Sequence, residues 1–403
     1  MSASSPSAAV TNTVPLLHWT NAQGQPQSAR WRCERGSAPP QRVVLVGDQT
    51  PADEAYRLAC SGTALLWQGD FHNARQLLQA MARRCDTPPR RKQRQAPAAP
   101  DASPAAAFHR HRQAQAQRAR TLGMLLVSLL PDYQVDARRA PDVRQACTHA
   151  WGPADGQPAV VALRELLGVH SADEWRRVGV EIAALGNAPH NRIHPHYGVF
   201  SPVRGEYIDL VAQAPLPAGA AQGQPVFDIG TGTGVLSAVL ARRGVRGIVA
   251  TELDARALAC AHDNLQRLAV AHAVTLQHTD LFPTGQAALV LCNPPWLPAR
   301  AGTSVERAVY DEDSRMLRGF LAGLAAHLLP QGEGWLILSD LAEHLGLRSR
   351  DALLGWITDA GLVVVDRLDT RPRHHKASDA HDPLHAARAA EVTSLWRLRV
   401  AGA

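Results

Sequence analysis

From Gln224 onward, short apolar runs alternate with stretches of helical periodicity, and this pattern predicts strands at 225–229 (PVFDI), 246–253, 273–280, 287–293 and 334–340. Runs of this kind, separated by helices, specify an α/β fold with a mainly parallel sheet covered on both faces. The tail departs from the rule. LVVVDRLDT (362–370) and EVTSLWRLRV (391–400) are strands joined by a polar insert without a strong helix, which predicts an antiparallel edge pair.

The N-terminal half reads differently. Residues 1–40 are rich in Ser, Ala, Pro and Gln with isolated Trp19 and Trp31, and are expected to be mobile. Residues 41–86 predict a small α/β unit: RVVLVG (42–47), a helix from Thr50 and Pro51, TALLW (63–67), then an amphipathic helix 71–84 capped by Asp70. The Pro, Ala and Arg composition of 87–107 is that of a linker. Residues 108–195 predict a helical substrate-recognition region, with one long helix from Ser103 and Pro104 through the apolar run ending at Leu130. Further helices are expected at 142–150, 158–168 and 171–185, the last with Ser171 and Glu174 as a capping box. Residues 196–403 form the remaining domain.

Composition narrows the class. The chain of 403 residues is 45% hydrophobic and 19% charged, which excludes wholesale disorder and fibrous architectures. Its formal charge is +6, carried almost wholly by arginine, with Lys92 and Lys376 the lysines. That surplus favours an anionic partner only weakly, and Arg110, Arg112, Arg118 and Arg120 on the long helix are read first as a solvated face, second as an RNA contact. Six cysteines without a C-x-x-C pair argue against a zinc ribbon and for a reducing, cytoplasmic setting. Neither a signal peptide nor a membrane span is predicted, and oligomeric state is not legible.

Chemistry concentrates at strand ends. VFDIGTGTG places Asp228 at the end of a strand and Gly230, Thr231, Gly232, Thr233 and Gly234 in the turn into a helix, where the backbone approaches a ligand closely. Val235 and Ser237 stand where a dinucleotide fingerprint needs glycine, so hydride transfer is poorly supported, and no P-loop motif exists. Glu252, ending the next strand, offers two acceptor oxygens to the two hydroxyls of a ribose. Asp280 and Leu281, ending the third, suit an adenine amine and ring. The fourth strand ends in Asn293-Pro294-Pro295-Trp296. Two prolines fix the backbone direction, leaving the Asn293 oxygen and the Pro294 carbonyl to accept both hydrogens of a planar –NH₂, while Trp296 offers a face for stacking.

With these motifs in place, residues 196–400 resemble a class I S-adenosylmethionine-dependent methyltransferase of the small-domain group whose fourth strand ends in (N/D)-P-P-(Y/F/W). Release-factor glutamine methyltransferases and ribosomal RNA guanine methyltransferases belong to that group. Pro202, Arg204 and Glu206 approximate the P-R-x-x-[ST]-E entry of the glutamine enzymes. The resemblance implies a seven-stranded Rossmann-like sheet with its last strand antiparallel and a separate N-terminal α/β plus helical domain. It implies S-adenosylmethionine as cofactor, contacted by Asp228, the 230–234 loop, Glu252, Asp280, Leu281 and Asn293. Asn293, Pro294 and Trp296 would carry catalysis and, with Pro295, hold the acceptor, a protein glutamine or a nucleic-acid base. The alternative is a non-catalytic RNA- or ribosome-binding protein keeping the scaffold.

Two histidine groups remain. His374, His375, His381 and His385 lie in the polar insert and are read as a loop over the active-site mouth, with no metal. His190, His194 and His196 are read as turn-capping residues. Asp311, Glu312 and Asp313 are read as carboxylates at the positive end of the helix 314–329.

Overall fold

The computed structural model describes residues 14–86, 103–203, 205–373, 379 and 382–402. They divide into two compact units, one of Met1–Ala96 with Gln115–His170, the other of Pro97–Ala114 with Ser171–Ala403.

The first unit is a six-stranded sheet in the order β1-β2-β6-β5-β4-β3: β1 (Leu16–Thr20), β2 (Pro26–Arg32), β3 (Arg42–Val46), β4 (Thr63–Trp67), β5 (Leu125–Leu129) and β6 (Ala159–Ala162). β3, β4 and β5 run parallel, with the helices Ala52–Cys60 and Phe71–Asp86 as crossovers. Asp70 caps the second of these by accepting the His72 N–H at 2.9 Å, as its sequence predicts.

Three expectations for this half are corrected. The segment expected to be mobile supplies β1 and β2 over part of its length, because Leu17, Ala29 and Trp31 point inward from strands too short and polar to stand out by composition. Residues 1–13 lie outside the described residues. The long helix stops at Leu122, and 125–129 is the buried strand β5. A continuous apolar run fits a buried strand and a buried helix equally well by periodicity, and Gly123 decides the break. Likewise 159–162 is β6, and one helix, Leu163–Val178, runs through Ser171, which is therefore mid-helix and caps nothing. The region 108–195 is thus partly sheet. Most of the expected linker, 87–102, lies outside the described residues.

Glu165 carries a testable consequence. It sits in the first turn of helix Leu163–Val178, accepts the Glu34 N–H at 2.9 Å, and is pushed by burial up to about 7 from its ordinary 4.5. The folded state therefore holds a proton that the unfolded chain has already released, so stability falls as pH rises from about 4.5 through about 7. Glu165→Gln should flatten that slope and gain on the order of 2 kcal/mol at pH 8, measured by urea melts from pH 5 to 8. An unchanged slope would show that Glu165 is ionised in the folded protein.

The second unit opens with a small ribbon, β7 (Val180–Glu181) with β8 (Arg192–Ile193). Its main sheet has the order β11-β10-β9-β12-β13-β15-β14: β9 (Val226–Ile229), β10 (Ile248–Glu252), β11 (Val274–His278), β12 (Ala287–Cys292), β13 (Leu328–Ser339), β14 (Leu362–Thr370) and β15 (Thr393–Val400). The first five pair in parallel, and β15 lies antiparallel between β13 and β14. The final strand is thus inserted, and β14 forms the edge. Apolar side chains on the two faces form separate cores, one around Trp335 and Val239, the other around Phe320 and Leu338. Burial on both faces explains why β12 reads as an unbroken apolar run, and why β9 is apolar but for the buried Asp228. No helix among the described residues is long and apolar enough to cross a membrane.

Candidate active site

Strand register assembles the site. Ile229 pairs with Thr251 of β10 on one side and with Cys292 of β12 on the other. The next residues, Gly230, Glu252 and Asn293, therefore emerge side by side at the carboxyl edge of the sheet, where open α/β sheets bind their ligands.

The glycine turn is held from beneath. Gly230, Gly232 and Gly234 have φ of 71°, 56° and 80°, a left-handed region that side chains rarely adopt. A Cβ on Gly232 would meet nothing within 4 Å, which leaves a backbone cradle open to a ligand. Asp228 lies under the turn, 1% exposed, and its Oδ2 accepts the Thr231 hydroxyl at 2.7 Å and the Ser237 hydroxyl at 2.6 Å. Burial raises its pKa, and those two donors oppose the rise. Asp228 therefore acts as the keystone of the loop. Glu252 spans two loops: Oε2 accepts the Gly232 N–H at 3.0 Å, while Oε1 accepts the N–H groups of Leu253 and Asp254. The carboxylate is thus fixed beside the cradle with lone pairs to spare.

At the next strand end Asp280 is exposed and ion-paired with Arg315 at 2.8 Å, so it meets any ligand together with that cation. Leu281 adopts φ 61°, and its carbonyl accepts the Thr251 hydroxyl at 2.6 Å.

On the far side, Pro294 is buried while Asn293, Pro295 and Trp296 are half-buried. The Trp296 indole N–H donates to Asn293 Oδ1 at 2.9 Å. Its ring packs edge-on to Tyr207, with centroids 6.4 Å apart and planes at 89°. The indole donor orients the Asn293 amide with its oxygen towards Trp296 and leaves that oxygen one further lone pair.

Several neighbours escaped the sequence reading. Leu253 is apolar yet 56% exposed directly after Glu252, a bare hydrophobic surface at a polar strand end. Met316 reaches Gly230 so closely that a Cβ there would come within 2.5 Å of its methyl group. Tyr207, buried behind Trp296, carried no motif. The only available signal was the apolar residue following the acid of the second strand.

The remaining candidates are structural. Asp311 accepts the Met316 and Leu317 N–H groups at 3.0 and 3.1 Å, which is the helix-start role expected of it. His190, His194 and His196 tie to Arg267, Arg176 and Asp263 respectively, consistent with a bracing role. Glu206 accepts the Arg373 N–H, and Arg204 lies outside the described residues. His374, His375 and His381 also lie outside them, and among the described residues no group of three or more ligating side chains is disposed around a metal position. Of the four helix arginines, Arg118 pairs with Asp86, Arg120 bonds Gln117, and Arg112 bonds the Arg300 carbonyl. Those three have partners within the chain, and Arg120 stands in the last turn of helix Pro104–Leu122, where the dipole favours a cation.

The glycine turn, the Glu252 carboxylate and Asn293-Pro294-Pro295-Trp296 share one edge of the parallel sheet, and on these features the second unit resembles a class I S-adenosylmethionine-dependent methyltransferase domain. Residues 190–346 match the family model of the methyltransferase small domain. A tRNA1(Val) (adenine(37)-N6)-methyltransferase of Serratia proteamaculans (strain 568) is 36% identical over 177 residues, covering 41% of this chain and 65% of that protein. One of the same description from Cytophaga hutchinsonii is 36% identical over 124 residues, covering 28% and 51%. A release factor glutamine methyltransferase of Cereibacter sphaeroides is 31% identical over 165 residues, covering 37% and 57%. The chain thus spans between about half and two thirds of the length of these relatives.

Proposed function

We propose that this protein transfers a methyl group from S-adenosylmethionine to a planar nitrogen, the exocyclic amine of a base in RNA. The observation that carries the reading is the register that sets Asn293 beside Gly230, with Glu252 on the opposite flank. The open cradle at Gly232, the fixed Glu252 carboxylate and the bare Leu253 side chain suit an adenosine. Asp228 shapes that cradle without facing it, and Asp280 and Leu281 line its far end. The cofactor, when bound, supplies an electrophilic methyl group.

The chain's own residues make the acceptor reactive. An exocyclic amine is a poor nucleophile because its lone pair is delocalised into the ring. The free lone pair of Asn293 Oδ1 and the Pro294 carbonyl each accept one amine hydrogen, which favours the pyramidal nitrogen, and fixed dipoles of this kind are worth about 3 kcal/mol in a dry site. Trp296 and Pro295 hold the base plane, and alignment adds the proximity contribution. No general base is needed before transfer. A base is favoured over a glutamine because the two relatives of highest identity quoted above are named as adenine methyltransferases.

The test is calorimetry with S-adenosylhomocysteine, then tritiated methyl transfer into cell extract. Binding with label lost to RNase and surviving protease is the expected result. Label surviving RNase and lost to protease moves the acceptor to a protein glutamine. Absence of both binding and label leaves the scaffold reading standing instead.

The indole bond adds a prediction. Trp296→Phe keeps an aromatic face but frees the Asn293 amide to turn its NH₂ towards the acceptor, and should lower kcat about three- to tenfold. In an Asn293→Asp background both side-chain oxygens accept, so the same change should cost little. Equal losses in the two backgrounds would show that the ring alone matters.

A further inference from the structure

The segment after Trp296 is a loop closed on itself. The Leu297 N–H donates to the Val309 carbonyl at 3.1 Å and the Asp311 N–H to the Leu297 carbonyl at 2.9 Å, so Leu297 and Tyr310 pair as a parallel bridge one residue beyond Trp296. On one flank Arg307 reaches Asp254, the capping residue of helix Ala255–Arg267, at 3.0 Å. The loop therefore arches from the acceptor side to the end of β10.

Its other flank is held from outside the family segment. The first half of helix Pro104–Leu122 belongs to the second unit, and Phe108, 2% exposed, packs in one cluster with Leu297, Leu341 and Leu345. One turn later the Arg112 guanidinium lies 3.8 Å from the centre of the Tyr310 ring. Its Nη2 donates to the Arg300 carbonyl at 2.6 Å, and its Nη1 stands 3.6 Å from the Glu306 carboxylate. A π face, a carbonyl and a carboxylate together hold this guanidinium from three sides. Lysine's point charge does not reproduce a planar fork that stacks and donates at once.

We propose that Arg112 is a positioning residue for the acceptor site: it clamps the loop 297–311 that borders Trp296, the face on which the acceptor base rests. The proposal rests on the acceptor reading above and extends it to a residue outside the segment 190–346 that matches the family model, so that acceptor recognition depends on a helix preceding that segment.

The test uses the full chain with bulk tRNA as methyl acceptor. Arg112→Ala should raise KM for tRNA at least about tenfold, keep kcat within about threefold, and leave S-adenosylhomocysteine affinity within about twofold. Tyr310→Leu removes the ring without touching the helix and should do the same, and the double variant should be no worse than either single one. It also carries the test should Arg112→Ala fail to fold. Unchanged KM in both variants, or additive losses, would overturn the proposal. If wild-type protein does not label tRNA, the acceptor reading fails separately, and native trypsinolysis decides the clamp. Cleavage after Arg300 and Arg307 should then be at least about tenfold faster in the variants, and equal rates would overturn it.

Discussion

Asn293→Ala is expected to lower methyl transfer by about 10²- to 10³-fold while S-adenosylhomocysteine binding stays nearly intact. The side chain ends the strand neighbouring the glycine turn, and its oxygen is oriented by the Trp296 indole before any acceptor arrives. Removing a preorganised acceptor of this kind typically costs about 3–4 kcal/mol of transition-state stabilisation. Asn293→Asp retains the acceptor oxygens and should recover a substantial part of the rate. Single-turnover transfer at saturating S-adenosylmethionine, paired with calorimetry, separates the two effects. Near-normal turnover in the alanine variant would remove Asn293 from the chemistry.

Asp228→Ala should act in the opposite way, on the cofactor and the fold. Both the Thr231 and Ser237 hydroxyls donate to one buried oxygen of Asp228, so truncation leaves two donors unpaired beneath the turn. That costs on the order of 2–4 kcal/mol, and the slackened loop should bind S-adenosylhomocysteine at least about tenfold more weakly. Asp228→Asn keeps one acceptor oxygen, which suffices for both hydroxyls, and should be much milder. Thermal melts and calorimetry on the two variants check this. Equal behaviour of the two would mean that the carboxylate's charge, not its acceptor geometry, organises the loop.

The division between what the sequence revealed and what it concealed follows burial. The central strands of the second unit, β9, β12 and β13, are buried over most of their length and stand out as mainly apolar runs, and the ends of the parallel strands carry the acids and prolines that point to the chemistry. The same apolarity misled the reading of Leu125–Leu129, where a strand buried in the first sheet looks like the end of a helix. β1 and β2 were concealed for the opposite reason, because only alternate residues such as Leu17 and Trp31 reach the core. Motifs located Asn293, Glu252 and Asp228, but local pattern carried no trace of partners far apart in the chain. Arg315 on Asp280, Tyr207 against Trp296 and Arg112 on Tyr310 all required the fold. The arginine-rich helix shows the hazard of counting charge alone: Arg112 and Arg118 are occupied inside the chain.

Asp228 and Glu252 perform different tasks although both sit at strand ends. Asp228 is sealed under the loop, whereas Glu252 stays half-buried beside it, holding the Gly232 amide. Spacing along the chain does not distinguish a carboxylate sealed beneath a turn from one left accessible beside it. Exposure does.

The most direct test of the central claim is nucleoside mass spectrometry of bulk tRNA methylated in vitro with labelled S-adenosylmethionine by wild-type protein and by Asn293→Ala. The account predicts the label on the exocyclic nitrogen of a base, present with wild type and nearly absent with the variant. A label on a ring nitrogen, a carbon or a ribose oxygen, formed equally well by both proteins, would contradict it.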